Sequence, residues 1–171
     1  MRIAPLKRDQ LAEWQRLRAL LWPELSAADQ RREMVDLLSD AEFNAVFVAV
    51  GREGKLHGFI ETSIRLRAEG CQPGPIGYIE GWFVEDRHRR KGIGSALAKK
   101  AEAWAVSRGC KEMASDAEFE NSVGRQVHQA LAYQEVACLA HYRKSLREIA
   151  GSRPPRAGAS KIADQTPSAE R

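Results

Sequence analysis

The segment Arg89-Arg90-Lys91-Gly92-Ile93-Gly94-Ser95 gathers the residue types best suited to hold a phosphate. Glycines remove the Cβ atoms that keep a phosphate away from backbone N–H groups, and a helix start adds unpaired donors and the positive end of its dipole. The neighbouring Arg and Lys side chains neutralise the anion. A diphosphate cradle is the functional expectation, and a plain basic turn capped by glycines is the structural alternative.

Spacing separates this segment from two other glycine-rich phosphate loops. A Walker loop requires GxxxxGK[ST], whereas Lys91 precedes these glycines, and a Rossmann fingerprint requires a third glycine where Leu97 stands. The elements that would position the cradle are a strand over residues 78–84 and a helix that carries Ala96, Leu97, Ala101, Trp104 and Ala105 and closes at Gly109. Upstream, residues 2–6 predict an edge strand, and Leu11, Trp14, Leu17, Arg18 and Leu21 lie at helical spacing. Ser26 stands as the N-cap of a second helix over residues 27–38. The β-rich runs 44–50 and 56–66, joined by a turn, predict a hairpin. A short strand over 111–115, a helix over 122–132 and a last strand over 133–142 complete the pattern.

With 171 residues and 43% hydrophobic content, the chain suffices for one α/β core. No apolar run approaches the ~20 residues needed to cross a bilayer, and the N-terminus lacks signal-peptide order, so a cytoplasmic protein with no membrane partner is expected. Cys71, Cys110 and Cys138 lack CxxC spacing, which indicates neither a disulfide framework nor a zinc site, and no metal is expected. The net charge of +4 is too small to imply a nucleic-acid partner. One domain is expected over residues 1–146, followed by a flexible tail over 147–171 whose Pro, Gly, Ser and charge lack apolar periodicity.

Arg89-x-x-Gly92-x-Gly94 after the strand Tyr78-Ile79-Glu80-Gly81-Trp82-Phe83-Val84 resembles the pyrophosphate loop of the GNAT acetyltransferases. The resemblance implies that superfamily's acyltransferase fold, a mixed central sheet with a splayed strand pair flanked by helices, and acetyl-coenzyme A as cosubstrate. It implies pantetheine contacts from Trp82, Phe83 and Val84, and a pyrophosphate site from Arg90, Lys91, Gly92, Ile93, Gly94 and Ser95. Asn121 with Val127-His128-Gln129-Ala130-Leu131-Ala132-Tyr133 is similar to a second element, in which Asn121 would meet pantetheine. His128 there replaces the usual tyrosine proton donor, and either a protonated histidine donating to the thiolate or a packed histidine fits the residue.

Leu17-Arg18-x-x-Leu21-Trp22-Pro23, Ser63-Ile64-Arg65, Ile79-Glu80-Gly81, Ala114-Ser115-Asp116 and Val127-His128-Gln129 together resemble the aminoglycoside 6'-N-acetyltransferases of the chromosomal Acinetobacter and Salmonella type. On that resemblance Trp22 forms a wall for the aminoglycoside ring, while Glu80 and Asp116 hold its ammonium groups and accept a proton from the reacting amine. A structural ion pair is the alternative for Glu80, and an N-cap for Asp116. Leu25 stands where that family commonly has a histidine, Arg67-Ala68 lies near the position of the family's substrate-facing tyrosine, and Glu135-Val136-Ala137 lacks the family's second acid, which points to weaker or altered aminoglycoside preference. The resemblance also implies a homodimer.

No Cys or Ser stands in a nucleophile setting, so direct acetyl transfer in a ternary complex is expected. Two rivals predict different outcomes. An acetyltransferase of another small amine, polyamine or peptide N-terminus would share the coenzyme loop. A non-enzymatic RNA- or protein-binding module would give salt-sensitive binding without turnover.

Overall fold

The computed structural model of the chain describes residues 1–145. A five-stranded sheet runs in the order β1 (Arg2–Pro5), β2 (Asn44–Val50), β3 (Leu56–Arg65), β4 (Ile76–Val84) and β5 (Glu112–Ser115). The first four strands pair antiparallel and β4 pairs β5 parallel, so the sheet is mixed as expected. Parallel neighbours need a crossover. Helix α3 (Ile93–Ser107) supplies it, between β4 and β5.

Alternation along the strands sends successive side chains to opposite faces. On one face Phe47, Ala49, Ile60 and Ile79 pack against Ile93, Leu97, Ala98 and Ala101 of α3. On the other, Val46, Val48 and Phe59 pack against Trp14 and Leu17 of α1 (Leu11–Leu21) and Met34 of α2 (Ala27–Ser39). Ser26 caps α2 as expected, its Oγ accepting the Asp29 N–H at 3.1 Å. Gly109 turns the chain after α3 with φ of 85°.

The splay appears in the register. Ile76 to Ile79 of β4 pair with Glu112 to Ser115, and residues 80–84 continue without a partner on that side. Opposite, Glu61 pairs with Gly81 and Thr62 with Ile79, so Glu80 is the extra residue of a β-bulge. A bulge bends its strand and re-aims the added side chain.

The strand expected over 133–142 is absent. Helix α4 (Ser122–Ala130) ends through Ala132 at φ of 65°, and residues 134–145 form no strand. Apolar alternation confers propensity, but a strand needs a ladder to satisfy its backbone, and no backbone bond joins residues 134–138 to β5. Val136 instead lies against Gly70, where a Cβ would sit 2.6 Å from its side chain. A compact unit spans Met1–Cys138, and the tail expected over 147–171 lies outside the described residues. No helix among the described residues is long and apolar enough to cross a membrane.

Candidate active site

Two adjoining surfaces meet along the free stretch of β4. The first is an acidic cleft of about 430 Å³ between α1, α2 and the sheet, lined by Trp22, Glu33, Asp36, Glu61 and Glu80 with Arg18 and Leu37. Trp22 follows α1, its N–H donating to the Arg18 carbonyl at 2.8 Å and its own carbonyl accepting from Gln30 Nε2 at 3.2 Å. The indole lies over Gly81, where a Cβ would come within 2.4 Å of its ring. Phe59 is tilted against it at 6.2 Å, and the Arg18 guanidinium covers it at 4.6 Å. These contacts hold the ring in place at the edge of the cleft.

Buried Arg18 bridges two carboxylates, with Nη1 at 2.5 Å from Glu61 and Nη2 at 2.5 Å from Glu33. Glu61 also accepts the Trp14 indole N–H at 2.8 Å. Burial pushes its carboxyl up to about 7, against the opposing pull of Arg18 and Trp14. Glu33, Asp36 and Glu61 were not singled out from the sequence. Glu33 and Asp36 stand among several charges of α2 with nothing local to set them apart, and the partners of Glu61 lie more than forty positions away.

Glu80 is exposed and paired, so its structural alternative is realised alongside its place in the cleft. Arg65 clasps it with Nε at 2.9 Å from Oε1 and Nη2 at 2.5 Å from Oε2, and the Ser63 hydroxyl also donates to Oε1. The same guanidinium lies 3.4 Å above the Tyr78 ring. Tyr78 donates its hydroxyl to Asp116 Oδ1 at 2.7 Å, and burial followed by that bond pushes the phenol up to about 12. Arg65 and Tyr78 thus join Glu80 to Asp116, which does not itself line the cleft. Capping of the next helix falls to Asn121, whose Oδ1 accepts the Gly124 N–H at 2.9 Å.

The second surface is the loop after β4. Arg90 and Gly92 both take left-handed conformations, at φ of 57° and 77°. The first helical acceptor bond of this end runs from Ala96 to Gly92, so the N–H groups of Ile93, Gly94 and Ser95 are the unpaired donors of the α3 N-terminus. Arg89 is tied to Asp86 at 2.9 Å and to the Val84 carbonyl, and Lys91 to the Arg87 carbonyl. The two glycines serve different ends. A Cβ on Gly92 would meet nothing within 4 Å, which leaves space for an anion, whereas one on Gly94 would press on Trp82 at 3.3 Å.

Trp82 and Phe83 point to opposite faces. Trp82 packs edge-on against His128 at 5.5 Å, and Phe83 packs against Phe59 at 6.3 Å. What residues 80–84 offer a ligand is therefore chiefly their open backbone edge. His128 Nδ1 lies 2.8 Å from the Gly124 carbonyl, which can only accept, so Nδ1 carries a proton. Nε2 is buried without a partner, and in the neutral ring it is an acceptor. Tyr133, edge-on to His128, donates to Glu102 at 3.1 Å, and burial holds its phenol protonated.

A mixed sheet opened beside its parallel strand, with a cationic left-handed loop feeding the α3 N-terminus, defines a coenzyme-binding acyltransferase. Residues 14–133 match the Acetyltransferase (GNAT) family, and the chain belongs to it. It is 40% identical to the aminoglycoside N(6')-acetyltransferase type 1 of Klebsiella aerogenes over 146 residues, 84% of this chain and 96% of that one. Among solved structures, the apo aminoglycoside 6'-N-acetyltransferase AAC(6')-IG of Acinetobacter haemolyticus superposes with a TM-score of 0.78 at 32% identity, covering 85% of this chain and 99% of that one. AAC(6')-Iy in complex with the bisubstrate analog CoA-S-monomethyl-acetylneamine gives 0.79 at 33% identity, covering 84% and 97%.

Proposed function

We propose that the chain transfers acetyl from acetyl-coenzyme A to the 6'-amino group of an aminoglycoside, by direct transfer in a ternary complex. The observation that carries this reading is the juxtaposition along β4 of the acidic cleft at Glu80 and the cationic, glycine-containing loop after Val84 that leads into the α3 N-terminus. With Arg18 and Arg65 counted against Glu33, Asp36, Glu61 and Glu80, the cleft still carries net negative charge, as a polycationic acceptor requires. The relatives named for aminoglycoside 6'-N-acetylation support the same acceptor.

In this mechanism Trp22 stacks against the sugar ring and Glu80 anchors its ammonium groups. Asp116 accepts the proton of the reacting amine, directly or through a water, because its Oδ2 is uncommitted while both Glu80 oxygens are held by Arg65. The freed amine attacks the thioester carbonyl, which backbone N–H groups near Val84 polarise. Pyrophosphate is held at residues 90–95 and pantetheine along the backbone of residues 82–84 with Asn121. His128 supplies a proton to the departing thiolate only after gaining one at Nε2. The enzyme acts in the cytoplasm as a homodimer and takes part in antibiotic resistance.

The test is thiol release from acetyl-coenzyme A with a panel of aminoglycosides and polyamines, followed by locating the acetyl group. Turnover confined to substrates bearing a 6'-amine, with none of their 6'-hydroxyl analogues, is the expected result. Faster turnover of polyamines would move the function to another amine.

A further inference from the structure

At the mouth of the splay, a buried phenol meets the exposed carboxylate of Asp116. Ile79 and Ser115 form the last pair between β4 and β5, so Glu80 and Asp116 are the first residues beyond it on either side. Asp116 has left the ladder that fixes β5, and among the described residues its carboxylate has one hydrogen-bond partner. That partner is Tyr78, whose hydroxyl donates to Oδ1 at 2.7 Å.

The sheet explains why this residue reaches that oxygen. Tyr78 pairs with Ala114, and residues two apart along a strand share a face, so continuing the alternation past Ser115 sets Asp116 diagonally ahead of Tyr78 on the same face. The phenol is long enough to span that diagonal. Tyr78 is itself firmly held. Its backbone lies between β3 and β5, opposite Ser63 and Ala114, and its carbonyl accepts the buried Thr62 hydroxyl at 2.9 Å. The Arg65 guanidinium lies 3.4 Å above its ring, and Glu80 in turn fixes Arg65 through both carboxylate oxygens. A buried donor mounted in this way has little freedom, and it passes that restraint to the oxygen it holds.

We infer that Tyr78 is the positioning residue of the amine's proton acceptor: its hydroxyl pins Asp116 Oδ1 and thereby presents Oδ2 across the splay to the reacting amine. The inference rests on the reading of Asp116 as that acceptor. The phenol does not compete for the proton. Burial and the bond to Asp116 push it up to about 12, so it stays a donor throughout the neutral range. The proton lost by the amine goes to Asp116 Oδ2, and Tyr78 keeps its own. Alignment of this kind acts on rate rather than on affinity, because Glu80 anchors the ammonium groups and a misplaced base slows only the chemical step. Nothing in the separation of residues 78 and 116 announces the pair, which forms only when β5 docks beside β4.

Tyr78→Phe removes the hydroxyl and keeps the ring that Arg65 covers. A misplacement of about 1 Å can cost on the order of a hundredfold, so this variant of the full chain is expected to lose about tenfold in the single-turnover rate of acetyl transfer to kanamycin A, which bears a 6'-amine. The dissociation constants of kanamycin A and acetyl-coenzyme A, measured by calorimetry, should stay within about twofold of the parent values, which also reports that the variant is folded. A double-mutant cycle separates positioning from a plain structural tie. Acting through Asp116, the loss of the hydroxyl should cost nothing further in rate once Asp116→Asn is in place, whereas a structural role gives losses that add. Additive losses, a fall carried by the dissociation constants, or a parent-like rate in Tyr78→Phe while Asp116→Asn is impaired would each overturn the positioning role and leave the proposed function standing. A parent-like rate in Asp116→Asn would overturn the proton acceptor and the positioning role together.

Discussion

Gly81→Ala is the sharpest probe of the acceptor wall proposed at Trp22. Gly81 lies in β4 without a positive φ, so alanine is tolerated by the backbone and the substitution acts only through its added carbon. That Cβ would stand 2.4 Å from Trp22 Cη2, whereas ordinary carbon contact begins at about 3.4 Å, so the indole must retreat by about 1 Å. The ring is confined by Phe59 and by Arg18, and its movement also disturbs the Arg18 bridge between Glu61 and Glu33. Overpacking of this size costs about 1–3 kcal/mol of stability. A misplacement of about 1 Å can cost on the order of a hundredfold in rate. The expected outcome is a tenfold to hundredfold fall in kcat/KM for the aminoglycoside, approximated by steady-state thiol release, while acetyl-coenzyme A still raises the melting temperature as in the parent chain. Adding Trp22→Phe, which shortens the ring, should recover part of the lost stability. Unchanged kcat/KM in a folded Gly81→Ala protein would remove Trp22 from the acceptor wall, and equal loss of coenzyme affinity would show that the two surfaces are not separable.

Glu80→Gln and Asp116→Asn should each lower kcat/KM by about tenfold to a hundredfold, the worth of a charged hydrogen bond at 1.5–3 kcal/mol, while coenzyme affinity measured by calorimetry barely changes. Gly92→Val places a branched side chain in the open space before the α3 N-terminus, at a φ that L-residues rarely adopt. It should abolish the stabilisation by acetyl-coenzyme A, which for the parent is about 2.7 kcal/mol at a hundredfold excess over Kd, read by thermal melting. Glu61 is raised in the folded chain from 4.5 to about 7, so its protonated form favours folding: its contribution is complete below pH 4.5 and is lost as pH rises to about 7. Urea unfolding at pH 5 and pH 7.5 should show a smaller pH-dependent loss for Glu61→Gln than for the parent.

Local signals were readable where neighbours in sequence decide the structure. Ser26 caps α2, the runs 44–50 and 56–65 form the hairpin, and the glycine segment sits between strand and helix because each is set by adjacent residues. Charges that acquire meaning through distant partners were not readable. Glu61 of β3 needs Trp14 and Arg18 from α1, and Arg65 reaches Glu80 and Tyr78 only when β3 pairs with β4 across a bulge. Gly94 was grouped with Gly92 by spacing, yet its missing Cβ accommodates Trp82. The strand expected over 133–142 failed for the complementary reason, that alternation cannot supply the neighbouring edge a strand requires.

The clasp of Arg65 on Glu80 means that the acidic cleft proposed for the acceptor already has a cation of its own at its edge, tethered at high local concentration. An incoming ligand with a single ammonium group competes for Glu80 against a partner that never diffuses away. A ligand bearing several ammonium groups can engage Glu33 and Asp36 as well, and those further contacts let it share or displace the guanidinium. On the proposed function, the resident arginine would set a threshold on valence, favouring ligands that bring more than one positive charge over those with a single ammonium group.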